Sequence, residues 1–521
     1  MKNLPIGIQS FEKLRESDCL YVDKTEIIHR LITSGKVFFL SRPRRFGKSL
    51  LVSTLEAIFR GQKELFEGLW IEDKIDWTQL NHPVVRIDFG GINNKTTEDL
   101  KKDFENVILQ IAHNYGITLT RTGAGSFAEL ITKMHTTTGQ QVVVLIDEYD
   151  KAILDNITNM EVMEGNKNIL HDFYQVLKAT DEHLRFVFLT GVSKFSKVSI
   201  FSGLNSLRDI TLNAQFATIC GYTQTELEFY FDLYIDELAQ EQECTKPEAI
   251  EKIKYWYDGY SWDGDSFVYN SFSTLVFFAD KEFKDHWFAT GSPTFIVNLL
   301  KEHNDIKSLL EPIHLPAEKF DGFDIQAIDP QMLMFQTGYL TIKKKEKNSF
   351  GEYRYTLGVP NEEVRRALTT NLFASYAVLH TSDTAMIRSQ MMDELLEGNP
   401  QAFEGNLQAL FAHIPYQLWS TDEKYYHSLL LLCLNMLGFK VEAEVSTDKG
   451  RIDAVWTWKE RVVIAEVKYA NKGKVEPLVK AALKQIHANK YYERYVGKEK
   501  RIALLAVAFT GKEIGCKIEE M

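Results

Sequence analysis

Gly47, Lys48 and Ser49 stand between an apolar run, Val37–Phe38–Phe39–Leu40, and the apolar opening of a helix at Leu50, Leu51 and Val52. Strand, tight loop and helix in that order form a cradle for phosphate. The glycine lets the backbone come close, the lysine reaches β- and γ-phosphate oxygens, and the serine hydroxyl sits on Mg²⁺. The helix amino terminus behind them adds its positive end. Five residues before Gly47, where such loops carry another glycine, the chain has Arg42, and Pro43, Arg44 and Arg45 fill the loop. These arginines can add charge around a triphosphate, but they remove a flexible hinge. A basic surface turn is the plainer reading of the tripeptide alone; the strand before it and the helix after it favour a nucleotide. Arg45, Gly47, Lys48, Ser49 and Leu50 are therefore the candidate nucleotide contacts.

A pair of acids follows. Val142–Val143–Val144–Leu145–Ile146 runs into Asp147–Glu148–Tyr149–Asp150, the Walker B pattern. A buried strand brings Asp147 toward Mg²⁺ and to the nucleotide set, while Glu148 can polarise an attacking water. A core strand that merely ends in a polar turn would not often carry adjacent acids about 100 residues after such a loop. A third strand, Arg185 to Thr190, ends in Gly191–Val192–Ser193. There Thr190 and Ser193 are candidates for sensing the γ-phosphate, or hydroxyls that simply satisfy a loop. Lys194, Lys197 and Arg208 are candidate cations supplied in cis. Before the loop, Tyr21 or Phe11 could stack on a base, with core packing the alternative for each.

The last hundred residues carry a separate constellation. Glu423 opens an apolar-periodic helix with Tyr426, Leu429, Leu430 and Leu434. Gly450–Arg451–Ile452–Asp453 starts one strand, and Val462–Val463–Ile464–Ala465–Glu466–Val467–Lys468 forms the next. Adjacent strands place Asp453 and Glu466 side by side as oxygen ligands for Mg²⁺. Lys468, two residues after Glu466, shares its face and can orient a water and stabilise charge on a scissile phosphate. Glu423 can complete the acidic shell, and Gln485 can support it from the following helix. An exposed hairpin of alternating charge is the competing reading, but the apolar run Val462–Ala465 belongs to a central strand. From Lys449 to Arg501 there are 14 Lys/Arg against 6 Asp/Glu, within a chain of net charge −12. Any nucleic-acid contact is thus local; Lys472, Lys474, Lys480, Lys484 and Lys490 could follow a phosphate backbone, with a solvated helix face the alternative for each.

These side chains need elements to hold them. At 521 residues, with 45% hydrophobic and 25% charged side chains, the chain is globular and too long for one core. Strand and helix alternate through residue 220, which predicts a doubly wound parallel sheet with ligand at the strand carboxyl ends. Residues 221–410 read as a mostly helical middle or lid region. It is broken by a glycine–aromatic stretch, Trp256 to Trp262, and a small hairpin at 336–342 and 353–357. Residues 411–521 form the third part. Five scattered cysteines without a CxxC pair argue against a thiolate zinc site and suit free thiols in a reducing compartment. With no signal segment or long apolar run evident, the expectation is a cytoplasmic protein without membrane partners, in which an oligomer is allowed.

The matching pieces YVDKT (21–25), RPRRFGKS (42–49), LIDEYD (145–150), TGVSKFS (190–196), GRID (450–453) and EVK (466–468) resemble those of the prokaryotic AAA-ATPase-like family with a C-terminal PD-(D/E)XK nuclease-superfamily domain. The arginine in place of the first loop glycine is part of that look. The resemblance implies an ASCE-type P-loop fold at 1–220 and a restriction-endonuclease-like α/β domain at 411–521. It also implies ATP and Mg²⁺ as cofactors, ATP hydrolysis, and a nuclease fold whose partner is DNA or RNA. Two functions follow: an ATPase coupled to Mg²⁺-dependent cleavage by Asp453, Glu466 and Lys468, or a regulatory switch ATPase whose nuclease fold only binds.

Overall fold

The computed structural model describes residues 1–194, 204, 206–287, 296–297, 300, 311–322, 329–377, 383–384, 386–387, 389–391, 400–412, 423–447, 449–458, 461–496, 501–510 and 513–521. The chain clusters into two compact units. The first takes Met1–Trp287 with His314–Asn361, and the second Phe288–Ile313 with Glu362–Met521. Residues 221–287 thus group with the first unit and 362–410 with the second.

The first unit is built on five strands: β1 (Val37–Ser41), β2 (Val84–Asp88), β3 (Val142–Asp147), β4 (Leu184–Gly191) and β5 (Arg208–Asp209). Their order is β2-β3-β4-β1-β5, with parallel pairing throughout. β4 therefore separates the Gly–Lys–Ser strand from the Walker B strand, the ASCE-type arrangement. Every residue of β1 and β3 is buried, as central strands covered on both faces require. The helix Thr97–Asn114 turns Leu100, Phe104, Ile108 and Ala112 inward, with Thr96 as its cap. Parallel register brings Ser41 beside Gly191 and Asp88 beside Asp147, so the polar strand ends gather along one edge.

Beyond the sheet, helices Gln224–Tyr230, Lys246–Tyr257 and Ser271–Asp280 follow, the first two opened by capping boxes at Thr223/Glu226 and Thr245/Glu248. The small hairpin exists as β7 (Thr341–Lys347) and β8 (Tyr353–Gly358), joined by β6 (Ile313–Pro316) in the order β6-β8-β7. Gln336 and Thr337 are not strand. They end the helix Pro330–Thr337, which Asp329 caps and Gly338 terminates at φ +91°.

The second unit holds a mixed sheet in the order β13-β12-β11-β10-β9. Its strands are β9 (Glu442–Thr447), β10 (Gly450–Trp458), β11 (Arg461–Ala470), β12 (Arg501–Thr510) and β13 (Glu513–Glu520). β11 and β12 run parallel, and the other pairs are antiparallel. The helix Val475–Ala488 makes the crossover between β11 and β12. It packs Val479, Ala482, Leu483 and Ile486 on the sheet and leaves Lys480 and Lys484 outside. No helix among the described residues is long and apolar enough to cross a membrane.

Candidate functional site

The loop after β1 has a definite form. Gly47 sits at φ +86°, a conformation that favours glycine, and Lys48 starts the helix Lys48–Phe59. The buried Lys48 ammonium donates to the carbonyls of Arg42 (3.0 Å) and Pro43 (2.9 Å), across its own loop. Burial lowers its pKa below the ordinary lysine value, against the opposing charges of Asp147 and Asp150.

The three loop arginines have separate places. Arg42 is fully buried. Its guanidinium donates to the carbonyls of Ser41 (2.8 Å), Thr211 (2.9 Å), Phe216 (3.2 Å) and Ala217 (3.4 Å). Arg44 is exposed. Arg45, at φ +69°, lies 4.0 Å over the Phe272 ring, and its Nη1 has no hydrogen-bond partner among the described residues. Arg44 and Arg45 line a cavity of about 430 Å³ together with Lys48, Ser49, Leu50 and Glu148. Tyr21 and Tyr222 are on its wall. Phe11 is fully buried against Tyr21 and Phe66, a core residue rather than a base contact.

The acids close the same region. Asp147 is fully buried at the end of β3; its Oδ1 accepts from the Glu148 amide, and its Oδ2 has no partner among the described residues. Burial raises its pKa, opposed by a hydrogen bond from Ser49 and by the Lys48 charge. Lys48, Ser49 and Asp147 are therefore neighbours. Glu148, held at φ +52°, is raised by burial and then by Asp147. Two further acids escaped the sequence reading. Asp88 stands beside Asp147 at the end of β2. Asp150, pushed up to about 6 by burial, accepts from the amides of Val192 (3.0 Å) and Ser193 (2.5 Å) and so fixes the loop after β4. Its only sequence signal was its place as the third acid of 145–150.

Thr190 and Ser193 are buried, and both side-chain oxygens lack partners among the described residues. Two of the candidate cis cations are engaged elsewhere. Lys194 pairs with Asp209 at 2.7 Å and donates to the Phe320 carbonyl. Arg208 pairs in register with Phe38, near the start of β1, and donates to Ser34 (3.5 Å). Lys197 and the end of the 190–196 motif lie outside the described residues.

In the second unit the register Ala454↔Ala465 ends the β10–β11 ladder and sets Asp453 opposite Glu466, one step on. Asp453 Oδ2 accepts from the Val467 amide (2.8 Å), and its carbonyl meets His427 Nε2 (3.0 Å). Glu466 is 1% exposed. Its Oε1 accepts from Lys468 Nζ (2.7 Å), and its Oε2 has no partner among the described residues. Burial, then the Asp453 charge, push Glu466 up to about 7 against the pull of Lys468; Glu423 adds to the push. Burial lowers Lys468, but Glu466 outweighs it and leaves the ammonium above its ordinary value. Glu423 is exposed at the start of its helix. The Gln485 amide donates to the Tyr491 hydroxyl (3.3 Å). No three His, Cys, Asp or Glu side chains among the described residues form a ready metal cage.

The fold and these two strand-end sites define a P-loop unit joined to a nuclease-superfamily unit. The family model described as "Predicted AAA-ATPase" matches residues 5–201, and that of the "PD-(D/E)XK nuclease superfamily" matches 421–519. A relative from Azotobacter chroococcum mcd 1, named "Uncharacterized protein in vnfD 5'region", is 38% identical over 518 residues, covering 98% of this chain and 96% of that protein. The chain belongs to the AAA-ATPase-like family with a C-terminal PD-(D/E)XK nuclease-superfamily domain. Two solved structures are matched at 11% identity. Drosophila ORC bound to AT-rich DNA and Cdc6 matches over 69% of this chain and 91% of that one, at a TM-score of 0.20. The Aeropyrum pernix ORC2 protein in its ADPNP–ADP complexes matches over 65% and 87%, at 0.24. Scores this low fix no correspondence of residues.

Proposed function

We propose that the chain binds and hydrolyses ATP in its first unit and carries a Mg²⁺-dependent phosphodiesterase site in its second, acting on DNA or RNA. One observation supports both halves: a buried carboxylate at each strand end, Asp147 and Glu466, keeps one oxygen without a donor among the described residues. Such an oxygen is costly unless a cation or proton reaches it. A cavity lined by Lys48, Ser49 and Glu148 suits a triphosphate, and Tyr21 and Tyr222 offer rings to a base.

On ATP arrival, Lys48 would exchange two neutral carbonyl acceptors for charged phosphate oxygens, the stronger partners. Ser49 and Asp147 would hold Mg²⁺, and Glu148, its pKa raised toward the working range, would take a proton from the attacking water. In the second unit Asp453 and Glu466, joined by Glu423, are the metal-holding carboxylates. Lys468 orients the nucleophile and faces developing phosphate charge. Mg²⁺, when bound, supplies Lewis acidity and a water of lowered pKa. Exposed Lys480 and Lys484 offer a track for a phosphate backbone.

The second reading, a nuclease fold that only binds, draws on the lack of a ready three-ligand cage among the described residues. The full chain with Mg²⁺ and ATP, offered plasmid DNA and RNA, separates the two. Cleavage that Lys468→Ala abolishes supports the catalytic reading. Cleavage untouched by Lys468→Ala, or absent from the parent, rejects it. ATP binding that survives Lys48→Ala rejects the nucleotide site.

A further inference from the structure

Four positions of the nucleotide loop are touched by residues from stretches that the sequence left without chemistry. The Trp262 ring lies 3.9 Å from the Arg42 guanidinium. Phe46 is set edge-on against Tyr260 (centroids 4.8 Å) and Trp262 (5.3 Å). Trp287 Nε1 donates to the Arg44 carbonyl at 3.4 Å. Gly338 comes so close to Pro43 that an added Cβ would lie 2.8 Å from the proline Cβ. All of these residues belong to the first compact unit.

The contacting stretch is itself fixed. Tyr260 and Val268 exchange backbone hydrogen bonds at 3.2 and 2.8 Å. Ser261 N donates to Thr341 Oγ1 (2.7 Å), and that hydroxyl donates to the Ser261 carbonyl (3.0 Å). Asp263 gathers the amides of Asp265 and Ser266. Trp262 is therefore presented from a tied turn.

We propose that Trp262, together with Tyr260 and Trp287, is a positioning residue for nucleotide binding: the glycine–aromatic stretch braces a loop that lacks its first glycine. The proposal rests on the ATP-binding reading above. Where glycine would let the backbone find its phosphate-accepting form, this loop has a buried arginine whose orientation is set from outside. Arg42 reaches the carbonyls of Thr211, Phe216 and Ala217 on one side and stacks on Trp262 on the other. A loop ordered before its ligand arrives spares the ligand the ordering entropy. Loosening the brace lowers the fraction of molecules ready to bind, which weakens apparent affinity by that fraction and leaves turnover at saturation intact.

The test uses the full chain with Trp262→Leu and Trp262→Phe. Losing the stacking is expected to raise the KM for ATP about tenfold while kcat stays within about twofold of the parent. Trp262→Phe, which keeps a ring under the guanidinium, is expected to restore most of the affinity. Hydrogen exchange at the amides of residues 42–48 without nucleotide is expected to quicken in Trp262→Leu and much less in Trp262→Phe. An unchanged KM with unchanged exchange overturns the proposal, as does a fall in kcat with KM unmoved. If Trp262→Leu does not fold, Phe46→Leu, which removes the edge contacts to Tyr260 and Trp262, is judged by the same readouts. If the parent fails to bind ATP, the nucleotide role falls with the ATP reading, and nucleotide-free exchange still decides separately whether the brace exists.

Discussion

Replacing Glu466 by glutamine should remove a pH dependence of stability that its burial creates. In the metal-free protein the folded Glu466 carboxyl titrates at about 7, against an ordinary value of 4.5. Between those values the folded chain keeps a proton that the unfolded chain has released. The stabilisation is therefore whole below pH 4.5, declines as pH rises, and is gone above about 7. A shift of this size corresponds to about 3 kcal/mol across the window. For a unit the size of the second one, each kcal/mol moves the unfolding midpoint by about 2–4 °C, so the expected change is about 6–12 °C. The structure gives the cause: a side chain 1% exposed, an Oε2 without a partner among the described residues, and Asp453 opposite. Lys468 at 2.7 Å offsets part of it.

The assay is calorimetric unfolding of full-length parent and Glu466→Gln in EDTA, from pH 4.5 to 8. The two curves for the second unit should diverge, with the parent losing stability relative to the variant as pH rises. Adding Mg²⁺ at pH 8 should raise the parent midpoint and leave the variant nearly still, because binding to the folded form stabilises it. Parallel curves between pH 4.5 and 7 would show that Glu466 is solvated, and the case for a strained metal-seeking carboxylate would go with them.

Three further outcomes follow from the geometry. Glu148→Gln should keep ATP affinity and slow hydrolysis by about 10²–10⁴-fold, read in a single-turnover assay, since it removes a general base without touching Lys48 or Ser49. Arg42→Ala should destabilise the first unit by about 3 kcal/mol or more, read by denaturant unfolding, because the carbonyls of Thr211, Phe216 and Ala217 lose their donor. Lys480→Glu with Lys484→Glu should weaken nucleic-acid binding with little regard to sequence. The slope of log affinity against log salt should flatten by about one for each phosphate that the variant no longer neutralises, read by fluorescence anisotropy.

The sheets were legible because their central strands are apolar without a break, a pattern that only burial on both faces explains. Val142–Ile146 and Val462–Ala465 gave the two sites this way, each ending in acids. The hairpin was legible too, although its first strand starts at Thr341, because Asp329, Pro330 and Gly338 mark a helix that apolar content alone did not separate from a strand. The role of Arg42 was not legible. A cation in a loop reads as solvated, and its acceptors lie about 170 residues away in the chain. Asp150 was hidden for a related reason: its partners are amides of the loop after β4, and main-chain donors leave no trace in side-chain spacing.

The arginine in place of glycine also bears on where a nucleotide domain can end. A glycine hinge needs only its own backbone, so a loop built on one can take its form from β1 and the following helix. Here Phe46 rests on Tyr260 and Trp262, Arg45 on Phe272, and Pro43 faces Gly338. The cavity wall likewise draws on Tyr222, Ser271 and Phe272. Alternation of strand and helix stops near residue 220, yet the chain clusters into a unit that runs on to Trp287 and takes in His314–Asn361. The physical reason is that a buried guanidinium must have several acceptors at once. Arg42 finds its carbonyl acceptors just past β5, at Thr211, Phe216 and Ala217, and the chain beyond residue 220 adds the Trp262 ring on its other side, so the loop's form depends on residues far downstream.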